Sequence, residues 1–264
     1  MEAVHACRKD TVYVSTFYID KTEITKGHWD SVHTWAVTNG YYFDSAGEGK
    51  GADHPVYSVS WYDAVKWCNA RSEMEGLVPC YYEDAGMGET YSSGRVDVAN
   101  NAVLWSGNGY RLPTEAEWEK AARGGFTGWR FPWGNEIAHT NANYYSQGTN
   151  VLAYDISPTQ GYHPSWRVDP KPYTSVAGSF PANGYGLFDV VGNLFELCWD
   201  WWQVQHDASV PDPVGPDTGT HRIVRSSPWD DILPDGNVRV SNRSNNTSPE
   251  DGGQRLGFRC VRRP

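Results

Sequence analysis

The run GYRLPTEAEWEKAARGG, Gly109 to Gly125, is the stretch on which the fold is read. Thr114 is placed to cap a helix, and Glu117, three residues on, closes a capping box. Trp118, Ala121 and Ala122 recur at helical spacing and give a narrow apolar stripe, and Gly124 ends the helix. Two further helices are legible upstream. Thr25 caps a pattern that puts Trp29, Val32, Trp35 and Ala36 on one face, stopped by Asn39 and Gly40. Ser60 to Asp63 is a second capping box; Ala64, Val65, Trp67 and Cys68 continue it to about Arg71. His28 and His33 are five apart, the wrong spacing for one helical face, and read as packing or surface residues. Val12 to Asp20 alternates as a strand does. So do both ends of the C-terminal segment, Arg222 to Arg225 and Leu256 to Val261.

The remainder is rich in turn formers. Tyr41 to Pro55, Leu77 to Asn108 and Asn141 to Asn183 read as loops, as does the Ser-, Asn-, Asp- and Pro-rich interior of Arg222 to Arg263. Gly47 to Gly51 is no phosphate loop, because it lacks the Gly-Lys-Ser/Thr ending and a preceding strand. The length, 264 residues, suits one large or two small domains. Abundant Trp, Tyr and Gly favour a loop-rich globule stitched by aromatics, and the run Trp199 to Trp202 reads as core. A net charge of −10 repels phosphate backbones, so nucleic acid and anionic membranes are poor partners. No apolar run reaches membrane-spanning length. The N-terminus lacks an apolar signal core, which implies a cytoplasmic protein or one whose leader has been removed. Cys7, after Ala6, has too little sequence before it to be read as a lipid-acceptor site. Cys7, Cys68, Cys80, Cys198 and Cys260 show no CxxC spacing. This odd, sparse set fits neither a zinc knuckle nor a disulfide-dense scaffold.

Gly109 to Gly125 and five further collinear blocks carry a resemblance. The five are Phe17 to Thr25, His54-Pro55 with Val59 to Asn69, the Phe131 to Asn135 run FPWGN, Asn183 to Glu196, and Leu256 to Cys260. In this order they resemble the formylglycine-generating enzyme family, also called the sulfatase-modifying factor family. The resemblance implies an α+β, C-type-lectin-like fold: loop-rich, with short antiparallel strands and two or three core helices. It implies one domain over residues 1–264, with 222–263 a segment inside it. It also implies calcium at Gly192, Leu194 and Glu196, where carbonyls and a carboxylate are the ligands Ca²⁺ takes. The competing reading is that Glu196 is structural, satisfied by backbone N–H groups or an Arg. A second calcium position falls on Asn143 and Tyr144, with Asp155 and Asp169 both open as the carboxylate. Finally, the resemblance pairs Cys68 with Cys260 in a disulfide, against two buried thiols as the alternative.

The family's enzymes use a cysteine pair after a motif that matches Arg225 to Trp229. Here Ser226 to Val240 contains no cysteine, and no carboxylate or glycine replaces a thiolate toward Cu(I). The sulfoxide-synthase branch needs histidines from an added helical domain, and no clustered His-x-x-x-His is present. A third branch resembles this chain better: variable proteins of diversity-generating retroelements, whose C-terminal segment is recoded around fixed Trp and Arg residues. That implies a non-catalytic, receptor-type binder needing no cofactor. Ser227, Pro228, Asp230, Asp231, Ile232, Leu233, Asp235, Asn237, Ser244 and Asn245 would line the ligand surface, side chains outward, over a scaffold of Trp229, Arg239 and Arg243. The two arginines are expected to hold the loop by hydrogen bonds. The ligand would be a protein or cell-surface structure met by a monomer displayed outside the cell; carbohydrate is disfavoured because no Glu-Pro-Asn-type motif is present. An oxidase or sulfoxide-synthase-like enzyme and a structural interaction module are the alternatives.

Overall fold

The computed structural model describes residues 11–203, 209–231 and 238–264, with the backbone alone of Asn245 and Asn246. Three helices form where caps were read. Helix α1, Lys26–Thr38, starts at Thr25, whose side chain accepts from the His28 N–H. Helix α2, Trp61–Met74, and α3, Glu115–Ala122, each carry a complete capping box, at Ser60/Asp63 and Thr114/Glu117. Helix α2 runs past Arg71 and is buried on nearly every side, which is why its apolar stripe understates its place in the core.

The strands depart from expectation. Of Val12 to Asp20 only β1, Tyr18–Ile19, is strand. Strand β2, Phe195–Trp201, covers most of the tryptophan run and is the centre of the molecule. Arg222–Ser226 is β3, and Ser244–Thr247 is β4. Leu256 to Val261 is not one strand but two, β5, Leu256–Gly257, and β6, Val261–Arg262, which serve different sheets. The larger sheet has the order β4-β3-β2-β5, and β1 pairs with β6. Antiparallel pairing prevails, as expected, and β5 joins β2 parallel at one edge.

Side chains pack into three apolar clusters. The largest joins α1, α2, the Cys80 to Val103 insertion and β2; a second gathers α3, Ala142, Tyr144 and Ile223; a third holds Tyr57, Tyr173, Leu194 and Trp229. Trp29 and Trp67 stack at 5.8 Å, with Phe258 edge-on to both. His28 and His33 pack against Trp67 and Trp29. Asn69 is one buried side chain that ties the long insertion to α2: it donates to the carbonyls of Tyr81 and Tyr91 and accepts from the N–H groups of Cys80 and Tyr81.

Arginine is the other stitch. Arg111, Arg222, Arg225 and Arg259 are among the largest fully buried side chains. Arg111 forks onto Glu117 with two 2.6 Å bonds, tying the capping box of α3 to the chain before it. Arg222 lies between the rings of Trp61 and Trp201, at 3.6 and 3.4 Å, and donates to Trp199 O. Its Nε and Nη2 have no hydrogen-bond partner, and burial pulls its pKa down to about 9. No helix among the described residues is long and apolar enough to cross a membrane.

Candidate functional site

The site is built from β3 outward. Arg225, the last inward residue of β3, is fully buried. It donates to Glu115 at 2.9 Å, to Glu119 at 2.7 Å and to the Val240 carbonyl at 2.6 Å. Arg243 reaches the same Glu115, donating through Nη2 at 2.8 Å and also through Nε. Two arginines from either side of the loop thus converge on the first turn of α3. Burial works against charge at Glu119, but Arg225 and Arg123 outweigh it and hold the carboxylate below its usual range. Arg239 sits against an aromatic ring. Its Nε has no hydrogen-bond partner, and its guanidinium lies 5.3 Å from the Tyr154 ring, which Arg130 approaches at 4.9 Å.

Beyond Arg225 the backbone turns. Ser226 has φ of +65°, a conformation that glycine adopts freely and serine does not. A glycine is usual here in the family that the motif resembles; this chain keeps the turn and accepts the strain, with the Ser226 hydroxyl donating to Gly192 O at 3.2 Å. Trp229 is 2% exposed, its N–H donating to Asn193 O and its indole N–H to Gln254 O. It packs on Tyr162 and Tyr173, with centroids 5.7 and 5.1 Å away.

The expectation that side chains along this turn point outward is corrected at three positions. Ser227, Pro228 and Asp230 are buried. The reason is local: Trp229 anchors the turn in the third apolar cluster and draws its neighbours in. Asp230 accepts from Arg255 Nη2 at 2.6 Å and Nε at 3.0 Å, while its Oδ1 and the Ser227 hydroxyl have no partner. Asp231 and Ser244 are half-buried at the rim. Ile232, Leu233, Asp235 and Asn237 lie outside the described residues, as does Cys7, and so does the side chain of Asn245.

The positions assigned to calcium are occupied by protein groups. Glu196 is fully buried; Arg259 grips both its oxygens at 2.6 and 2.7 Å, and Trp118 Nε1 adds a 2.7 Å bond. The Gly192 carbonyl accepts from Ser226. A cation on Gly192, Leu194 and Glu196 would have to displace a guanidinium, so the residues do not fit it as folded. Nearby, Asp189 Oδ1 has no partner, and burial lifts the Asp189 pKa to about 6. Glu23, donated to by Asn193 Nδ2 and the Leu194 N–H, is raised by burial and by Asp189 and Glu196. At the other position, Tyr144 O accepts from His139, and Asp155 takes donors from Tyr144, Ser146, Gln147, Gly148 and Ser157. Asp169 accepts from Tyr173 OH. Among the described residues no three His, Cys, Asp or Glu side chains are grouped to hold a metal.

Four thiols are buried: Cys68, Cys80, Cys198 and Cys260. Cys68 and Cys260 touch, Sγ to Sγ 3.5 Å, as thiols and not as a bridge. Burial pushes Cys80 to about 11 and raises Cys68 and Cys198 well above the ordinary thiol range, so none of the three is a ready thiolate.

Sequence reasoning missed Glu115, Glu119 and Arg255, which hold the segment, and Tyr162 and Tyr173, which flank Trp229. Acidic residues at 115, 117 and 119 of one short helix were the available signal. Three carboxylates beside a buried stripe require basic partners, and Arg225 and Arg243 were at hand.

With this geometry in view, the comparisons are specific. The model of the sulfatase-modifying factor enzyme 1-like domain matches residues 4–264. A formylglycine-generating enzyme of Thermomonospora curvata is 33% identical over 246 residues, 87% of this chain and 64% of that protein. One from Bos taurus is 32% identical, over 79% of this chain and 44% of its own length. The chain therefore spans about half to two thirds of these curated relatives. Among solved structures, variable protein 1 of Treponema denticola superposes with a TM-score of 0.69 at 30% identity, covering 96% of this chain and 86% of that one.

Proposed function

The chain belongs to the sulfatase-modifying factor family with its C-type-lectin-like fold, and from that premise we propose that it is a non-catalytic, ligand-binding member with a diversified C-terminal face. The observation that carries this reading is the likeness, over nearly the whole chain, to a protein named for its variability. The absence of cysteine from Ser226 to Val240, where the family's oxidases keep their pair, supports it. So do the buried, high-pKa thiols elsewhere.

The proposed face is narrower than the sequence suggested. Ser227, Pro228 and Asp230 form its underside, fixed by Trp229 and Arg255. The positions proposed to vary are Asp231, Ile232, Leu233, Asp235 and Asn237, between the Arg225 and Arg243 anchors in sequence, and Ser244 and Asn245, which follow Arg243 directly. A frame that holds both ends in advance lowers the ordering cost of binding and tolerates change between them. The partner is proposed to be a protein or cell-surface structure, met outside the cell without a cofactor.

The test is a library randomised at those seven positions. Members should melt close to the parent while losing or exchanging its ligand. General loss of folding across the library rejects the reading. Nucleotide sequence gives a second check, since a near-identical template repeat beside a reverse transcriptase should accompany such a gene. One observation favours an enzyme instead, the 33% identity to a formylglycine-generating enzyme. Copper-dependent oxidation of a cysteine peptide by this chain would replace our proposal with that one.

A further inference from the structure

Behind Trp229 lies an arrangement that neither the family nor the variable face explains. Tyr162, Tyr173 and Trp229 form a three-ring box. The Tyr162 and Tyr173 centroids are 4.9 Å apart with planes at 81°; Tyr162 is tilted to Trp229 at 5.7 Å and Tyr173 meets it edge-on at 5.1 Å. Tyr145 backs Tyr162 edge-on at 4.9 Å. One side chain of the same protein reaches all three rings. The Lys171 ammonium is 5.3 Å from the Tyr162 centroid and 5.8 Å from those of Tyr173 and Trp229. It makes one hydrogen bond, to Tyr162 OH at 3.3 Å, and no salt bridge of its own.

Electron-rich ring faces attract a cation within about 6 Å of their centroids, and several faces converging on one point make a receptor for it. Tyr162 is half-buried and Lys171 exposed, so the box opens to solvent on the side Lys171 occupies. Lys50 approaches the Tyr173 ring at 5.7 Å and Arg167 the Tyr162 ring at 5.9 Å, each against a single ring. Adding a cation beside them would be opposed by like charge; displacing Lys171 moves its ammonium into solvent, where screening weakens that opposition. Asp230, whose Oδ1 has no partner, and Asp169, bound to Tyr173 OH, supply negative charge at the box's edge.

We propose that the box of Tyr162, Tyr173 and Trp229 is a binding site for a primary alkylammonium group, as carried by a lysine side chain of a protein ligand. Lys171 is its self-supplied occupant, displaced on binding. A primary ammonium is favoured over a quaternary one because the Tyr162 hydroxyl accepts an N–H bond that a quaternary group cannot give. The site does not depend on any position varying, so its failure and that of the diversified face are separable.

The test uses n-butylammonium as probe, with tetramethylammonium as the comparison, read by the upfield ring-current shift of the ligand's proton lines. Removing an internal competitor raises the fraction of open sites. Lys171→Ala should therefore bind n-butylammonium about tenfold more tightly than the parent. Adding Tyr162→Leu to Lys171→Ala should abolish the shift. Melting curves of both variants should match the parent's within a few degrees, since neither changes Trp229. Equal affinity in the parent and Lys171→Ala overturns the proposal, as does a shift that survives Tyr162→Leu. Tighter binding of tetramethylammonium overturns the lysine-type assignment.

Discussion

The two halves of the C-terminal segment are held by opposite kinds of chemistry. Where β3 and Arg243 face α3, charge is matched within the fold: Arg225 and Arg243 share Glu115, and Arg225 takes Glu119 as well. Where the chain turns at Trp229, polar atoms are left over: the Ser227 hydroxyl and Asp230 Oδ1 are buried without partners, and Ser226 holds a positive φ. The first half tolerates little, because removing one member strands another buried charge. The second is anchored by apolar area and by Arg255 on Asp230, and it carries buried polar atoms without partners.

The largest effect should come from breaking the matched half. Glu115→Ala removes the carboxylate that Arg225 and Arg243 share, leaving the fully buried Arg225 with Glu119 and the Val240 carbonyl, and should cost about 3–5 kcal/mol in urea unfolding. A loss near zero would mean that the arginines do not anchor the segment.

Next comes pH. Asp189 is raised to about 6 by burial, and Glu23 is raised in the same direction. Between about pH 4 and the folded pKa, the native chain keeps protons that the unfolded chain has released. The Asp189 contribution is therefore complete below about pH 4 and is lost as pH rises through about 6. Asp189 alone should make stability greater near pH 5 than near pH 7.5 by about 1.4 kcal/mol, and Asp189→Asn should remove that part of the difference.

Ser226→Gly sharpens the comparison from the strained half. Relief of the left-handed conformation outweighs one 3.2 Å bond to Gly192, so the melting midpoint should rise, by about 1 kcal/mol in stability. Asp231→Ala with Ser244→Ala, both at the rim, should move stability by less than about 0.5 kcal/mol. A larger loss would place them in the frame and not on the face. Smallest of all is the expected effect of chelation. With Arg259 already on Glu196, EDTA should leave the melting curve unchanged, and a drop would restore calcium to Gly192, Leu194 and Glu196.

Much of the frame could be read in advance because its signals are local. Thr25, Ser60 and Thr114 cap the helices they were expected to cap, since capping joins residues three apart. The strands were harder. Leu256 to Val261 carries one apolar pattern but serves two sheets, and nothing within six residues records which neighbour each half will meet. The site was legible in outline only. Trp229 and Arg243 stood out by residue type, but the direction of Ser227, Pro228 and Asp230 did not.

By itself, the chain of residues determined the family, the three capped helices, the acidic surface and the lack of a cysteine pair after Arg225. These follow from order, short-range spacing and composition. Only the tertiary structure decided that Glu115 serves two arginines 18 residues apart, that Glu196 belongs to Arg259, and that Lys171 lies over three rings drawn from 162, 173 and 229. The physical reason is the same in each case. Charge pairing and ring stacking act over a few ångströms in space and impose no period on the sequence, so the partners become known only once the chain has closed on itself.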